Sequence, residues 1–181
     1  EVDIREYFVT EGVVTADRQR EREYTKLLSE RIVERYFKEN IVLPSHLAAF
    51  AAFHQLRISR PELDLYGLLR LPTEDYVFDQ AKLLDYLDQL KVILKEMAEH
   101  GKLKLSEEID WDTAELLKEG VSSLGTFHPK KPLVFTKKGA LMSQDFKLLY
   151  YYQNRLTHYG LEQVFDKAAK NVNEPVIIPV K

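Results

Sequence analysis

LLYYYQNRLTHYGLE, residues 148–162, departs from the pattern of an ordinary surface helix. A half-exposed helix shows one apolar stripe and one charged face. Here Phe146, Leu148, Leu149, Tyr150, Tyr151, Tyr152, Leu156 and Tyr159 surround the axis on nearly all sides. The pattern predicts a helix that is buried, docked between layers, or covered by a partner. Tyr151, Asn154 and His158 recur at i, i+3 and i+7 and form one row, with Arg155 beside it. Buried Asn and His need hydrogen-bond partners, so the row is expected to hold something in place. His158→Ala is then expected to cost about 1–3 kcal/mol.

Working outward from that helix, most of the chain reads as helical. Asp17 precedes RQREREYTKLLSERIVERYFKE, whose Tyr24, Leu27, Leu28, Ile32 and Tyr36 follow helical spacing. PSHLAAFAAFHQLR begins with Pro44, has Ser45 as its expected N-cap, and is apolar on most sides, as a core helix is. LDLYGLLR is a short helix closed by Pro72, and TEDYVF an extended linker. From Asp79 onward, Leu83, Leu87, Leu90, Leu94 and Met97 make the cleanest stripe in the chain, ended by Gly101 in the manner of a C′ glycine. Asp112 is expected to cap a helix to about Leu124, and Ser143 to cap the aromatic helix. KLKLS and PLVF read as strands that pair in a ribbon. The fold class is therefore mainly α: a helical domain with a small two-stranded β ribbon. Residues 1–17 form an entry segment, 18–165 the helical domain, and 166–181 an extended tail.

A chain of 181 residues with 45% hydrophobic and 30% charged residues has ample material for one core. A net charge of −3 gives no global basic field for nucleic acid. With no cysteine, disulfides, thiolate metal sites and cysteine catalysis are excluded. No apolar run approaches the length of a bilayer span, and no signal-peptide pattern is present. The sequence opens on Glu1 in what reads as mid-protein sequence, so a piece of a longer polypeptide is expected.

Chemical motifs are sparse. HExxH, GxSxG, GxxxxGK[ST] and GxGxxG are all absent. His46 and His54 lie eight residues apart without an acidic companion at metal-ligand spacing, and read as satisfied helix histidines. No metal or cofactor is expected. HPKKPLVFTKKGALMSQDFK places Lys130, Lys131, Lys137, Lys138 and Lys147 against a single Asp145. Such a patch suits phosphate groups, an anionic membrane surface or an acidic partner face, and equally reads as an ordinary solvated loop. Helices at 45–57, 63–70 and 79–100 followed by a strand pair also match the order of a winged helix. Asp85, Asp88, Glu96 and Glu99 on the third of these helices oppose nucleic acid as a partner.

Tyr151-Tyr152-Gln153-Asn154, followed by Leu156 and His158, resembles the Tyr-Tyr-x-Asn-x-Leu-x-His tract in the C-terminal region of glycerol-3-phosphate and dihydroxyacetone-phosphate acyltransferases. PSHLAAFAAFHQL, residues 44–56, is similar to the small apolar helix that follows their acyltransferase domain. The resemblance covers roughly residues 20–162. It implies a parent enzyme that moves an acyl group from acyl-CoA or acyl-carrier protein to glycerol 3-phosphate, at the cytoplasmic face of a membrane. It also implies a His-x4-Asp motif, with His as general base. The fifth residues after His46, His54, His100, His128 and His158 are Ala51, Ser59, Leu105, Leu133 and Gln163. None is Asp, so no catalytic residue is assigned and the chain alone is expected to be inactive. Tyr151, Tyr152, Asn154, Arg155 and His158 are then candidates for holding the domain together or against an upstream catalytic domain.

Overall fold

In the computed structural model, residues 8–14 and 17–163 are described. The expected tail at 166–181 lies outside them. The elements run β1 (Val9–Thr10), β2 (Val13–Val14), α1 (Arg18–Glu39), β3 (Ile41–Val42), α2 (Pro44–Ser59), α3 (Leu65–Leu68), β4 (Val77–Phe78), α4 (Gln80–Glu99), β5 (Lys104–Leu105), α5 (Thr113–Ser123), β6 (Val134–Phe135), β7 (Leu141–Met142) and α6 (Phe146–Thr157). The protein is mainly helical, with a few very short strands in small sheets. Two compact units are present. Of the described residues, one unit holds those up to Ile41 with Met97–Lys104, and the other holds Val42–Glu96 and those from Leu105 to Gln163.

In the first unit, β1 and β2 form a tight hairpin with Val9 opposite Val14. Its turn residues Glu11 and Gly12 both adopt positive φ, 54° and 78°, as a two-residue hairpin loop demands. Asp17 caps α1 by accepting from the Gln19 N–H at 2.9 Å. The helix buries none of its residues. Its charged face is laced by i,i+3 and i,i+4 ion pairs such as Arg31–Glu34 and Arg35–Glu39. Glu39 also pairs with Lys104, which holds its carboxyl below the usual range.

The second unit is built around α2. Every residue from Leu47 to Leu56 is buried, which matches a helix apolar on most sides. It packs against both α5 and α6. The α4 stripe of Leu83, Leu87, Leu90 and Leu94 is buried as its spacing requires, as is Met97, which continues the stripe in the part of α4 that belongs to the first unit. Asp79 receives the Ala81 and Lys82 N–H groups at its start. Gly101, at φ 67°, follows its end, and its N–H reaches the Ala98 carbonyl.

Strand pairing differs from the expected ribbon. β5, the KLKLS strand, is hydrogen-bonded to β3, not to the PLVF strand. PLVF supplies β6, which pairs antiparallel with β7, and β7 pairs in turn with β4. The extended "linker" at 77–78 is thus an edge of a three-stranded sheet ordered β4-β7-β6. Helix α2, strand β4, helices α4 and α5, then the β6–β7 hairpin follow the winged-helix order of elements. The helix immediately before the hairpin is α5 rather than the acidic α4. Its exposed residues are Glu115, Lys118, Ser122 and Ser123, an unremarkable charge balance.

Two caps also differ. The N-cap of α2 is Leu43, not Ser45, because Pro44 takes the first helical position. Helix α6 is capped by Asp145, which accepts from the Lys147 and Leu148 N–H groups at 2.8 and 3.2 Å. Ser143 is buried one turn earlier, its hydroxyl oxygen accepting from the Asp145 N–H.

Candidate functional site

Helix α6 is one-sided. Phe146, Leu149, Gln153 and Leu156 are buried, at the i, i+3, i+7 and i+10 positions of a single stripe. Tyr151, Asn154, Arg155 and His158 stand on the opposite face and are exposed. The expectation that this row is buried is therefore corrected. Tyrosine raises the apolar count all round the helix, yet its hydroxyl tolerates water.

The outer residues have local contacts. The Tyr151 ring is 56% exposed and meets Tyr152 edge-on at 5.3 Å. Half-buried Tyr152 meets the His128 ring edge-on at 6.0 Å. This ties α6 to the segment that links α5 and β6. Asn154 accepts from the Gln153 side-chain amide at 2.8 Å and from the Thr157 hydroxyl at 3.4 Å. His158 forms the C-cap of α6 and lies edge-on to Tyr159. Lys147, Tyr151 and Arg155 recur every four residues and share that outer face, and α6 carries no Asp or Glu.

The lysine segment divides into parts with different work. Lys137 and Lys138 are exposed in the β6–β7 turn, which Gly139 closes at φ 82° with its N–H on the Thr136 carbonyl. Lys130 is exposed. Lys131 is half-buried, and its ammonium donates to the Gly125 and Thr126 carbonyls at 2.9 and 3.1 Å. It braces its own loop, a task that a solvated lysine would not perform. Gly125, just past α5, adopts φ 67° and packs so closely on Pro132 that a Cβ would lie 2.4 Å from the ring. This fixes the loop that carries Phe127, whose side chain is 98% exposed. Sequence reading passed over Phe127. The signal available was an aromatic residue framed by Gly125 and Pro129.

Two histidines are occupied structurally. His54 is buried, parallel to the Phe50 ring at 6.4 Å and edge-on to Tyr86 at 5.1 Å. Its Nδ1 lies 3.4 Å from the Arg57 guanidinium, and Arg57 pairs with Glu162 at 2.6 Å. His46 Nδ1 accepts the Leu43 N–H at 3.2 Å, a helix-start bond that needs an unprotonated nitrogen. Burial, and then the positive charge of Arg155, push its pKa from 6.5 down to about 4. Between those values the unfolded chain binds more protons than the native one. Stability is therefore full above the unfolded pKa and declines as pH falls toward 4. The unfolding free energy at pH 5 is expected to lie about 1–2 kcal/mol below that at pH 7 from this group. Denaturant titrations of the chain and of His46→Gln at both pH values check this. The difference between them must shrink toward pH 5, and the opposite slope refutes the assignment.

Among the described residues, no group of three His, Asp or Glu side chains is arranged to hold a metal ion. No described helix is long and apolar enough to cross a membrane. No protein-family model, curated protein or solved structure matches the chain.

Proposed function

We propose that this chain is the C-terminal, non-catalytic domain of a glycerol-3-phosphate O-acyltransferase-like enzyme of phospholipid biosynthesis. The supporting observation is how the acyltransferase-like tract divides on α6. Leu156 is spent on the core, whereas Tyr151, Asn154 and His158 stand exposed on the outer face. That face is available for contact outside this unit. In the whole enzyme an upstream histidine removes the proton of the sn-1 hydroxyl, whose oxygen attacks the thioester carbonyl. An ester forms, and the thiol of coenzyme A or acyl-carrier protein leaves. This domain supplies none of those groups and supports the catalytic domain at the cytoplasmic face of a membrane.

The test is acyl transfer from a long-chain acyl-CoA to glycerol 3-phosphate. It compares this chain, the longer polypeptide that includes the upstream domain, and that polypeptide without α6. Activity is expected only in the intact longer polypeptide. Transfer by this chain alone refutes the non-catalytic role. Activity in none of the three favours a second reading, a helical protein-interaction module with no acyltransferase link, for which the exposed outer face of α6 also speaks.

A further inference from the structure

We propose that the outer face of α6 and the loop from Gly125 to Lys131 together form a docking surface for an anionic phospholipid bilayer. Phe127 is an almost fully exposed aromatic side chain on a braced loop. The bracing comes from the Lys131 ammonium on the Gly125 and Thr126 carbonyls, the His128 N–H on the Gly125 carbonyl, and the His128 ring against Tyr152. The ring is thus presented outward at little ordering cost. Tyr151 adds a second exposed ring through its contact with Tyr152.

Charge decides what this aromatic surface faces. Lys147 and Arg155 are exposed one turn to either side of Tyr151 on α6, Lys130 is exposed in the loop that carries Phe127, and Lys131 lies at the root of that loop. Helix α6 has no carboxylate, and Asp145 beside it is committed to capping backbone N–H groups. In a chain of net charge −3, this face reverses the local sign. An anionic bilayer offers both complements in one plane. Its phosphates attract each nearby Lys or Arg, and its interfacial zone accepts Phe and Tyr rings. A nucleic acid would need a longer basic track, and α5 beside the hairpin offers only Lys118 against Glu115 and Glu119. The proposal takes the outer face of α6 as a contact surface, as the functional reading does, but requires no acyl transfer.

The test is flotation with phosphatidylcholine vesicles, with and without phosphatidylglycerol. The chain is expected to float with the anionic vesicles and to lose binding as salt rises. Phe127→Ser combined with Tyr151→Ser is expected to reduce partitioning at least about tenfold. Lys130→Glu with Lys147→Glu is expected to abolish the preference for anionic lipid, while Lys26→Glu on α1 leaves it unchanged. All these side chains are exposed, so thermal midpoints should match the parent chain. No flotation, equal binding to neutral vesicles, or anionic binding that survives the Phe127/Tyr151 change overturns the proposal. So does tighter retention by an oligonucleotide than by anionic vesicles. Vesicle binding by this chain with no acyl transfer by the longer polypeptide would uphold this surface and sink the enzyme reading. The reverse pair of results would do the opposite.

Discussion

Leu149→Ala is expected to lower the unfolding free energy by about 2–5 kcal/mol, while His158→Ala on the same helix changes it by less than about 0.5 kcal/mol. Leu149 has no solvent exposure and sits at the centre of the α6 stripe between Phe146, Gln153 and Leu156. Truncation removes its transfer free energy and leaves a cavity between α6 and its neighbours. Helix α2 is the principal neighbour and is itself buried along most of its length, so the site has little room to collapse. His158, the C-cap residue of α6, is exposed on the opposite face, so truncating its ring leaves no buried cavity. The small value replaces the 1–3 kcal/mol expected for a buried row. Urea unfolding of both variants against the parent chain decides the matter. A larger loss at His158 than at Leu149 would mean that α6 is turned the other way.

That reversal shows which signals were legible in the sequence. Long periodic segments were: the stripe of α4, the apolar wrap of α2, and the caps at Asp112 and Gly101 all stand where spacing and capping chemistry put them. Each depends on residues within one or two turns. The strands were not legible at the level of pairing. Two-residue strands carry no period of their own, and KLKLS finds β3 more than sixty residues upstream. The candidate site was half legible. Residue identities on α6 and in the lysine segment were evident, but three rows of tyrosine blurred which side faces the core. The bracing of Lys131 depends on Gly125 turning the loop back toward it, a consequence of backbone geometry that no side-chain pattern displays.

The tightest helix contact gives the second large effect: Gly120→Val is expected to destabilise the protein by about 3 kcal/mol or more. Gly120 is buried on α5 where that helix meets the start of α2. A Cβ there would lie 2.5 Å from the Pro44 carbonyl oxygen and 2.9 Å from the Ala48 Cβ. Neither obstacle is the mobile end of a long side chain. Pro44 has a fixed φ at the first turn of α2, and Ala48 is part of the buried core. Relief therefore requires α5 to move off α2, which loosens Leu116, Leu117 and Val121 on the same buried face. Gly120→Ala separates the causes. Helix propensity alone favours alanine over glycine by about 1 kcal/mol, so a net loss in that variant measures crowding against the propensity gain. Chemical denaturation of both variants is the measurement, with Ser122→Ala on the exposed side of α5 as the control. A stabilised Gly120→Ala would show that α5 and α2 do not approach as closely as their backbones indicate.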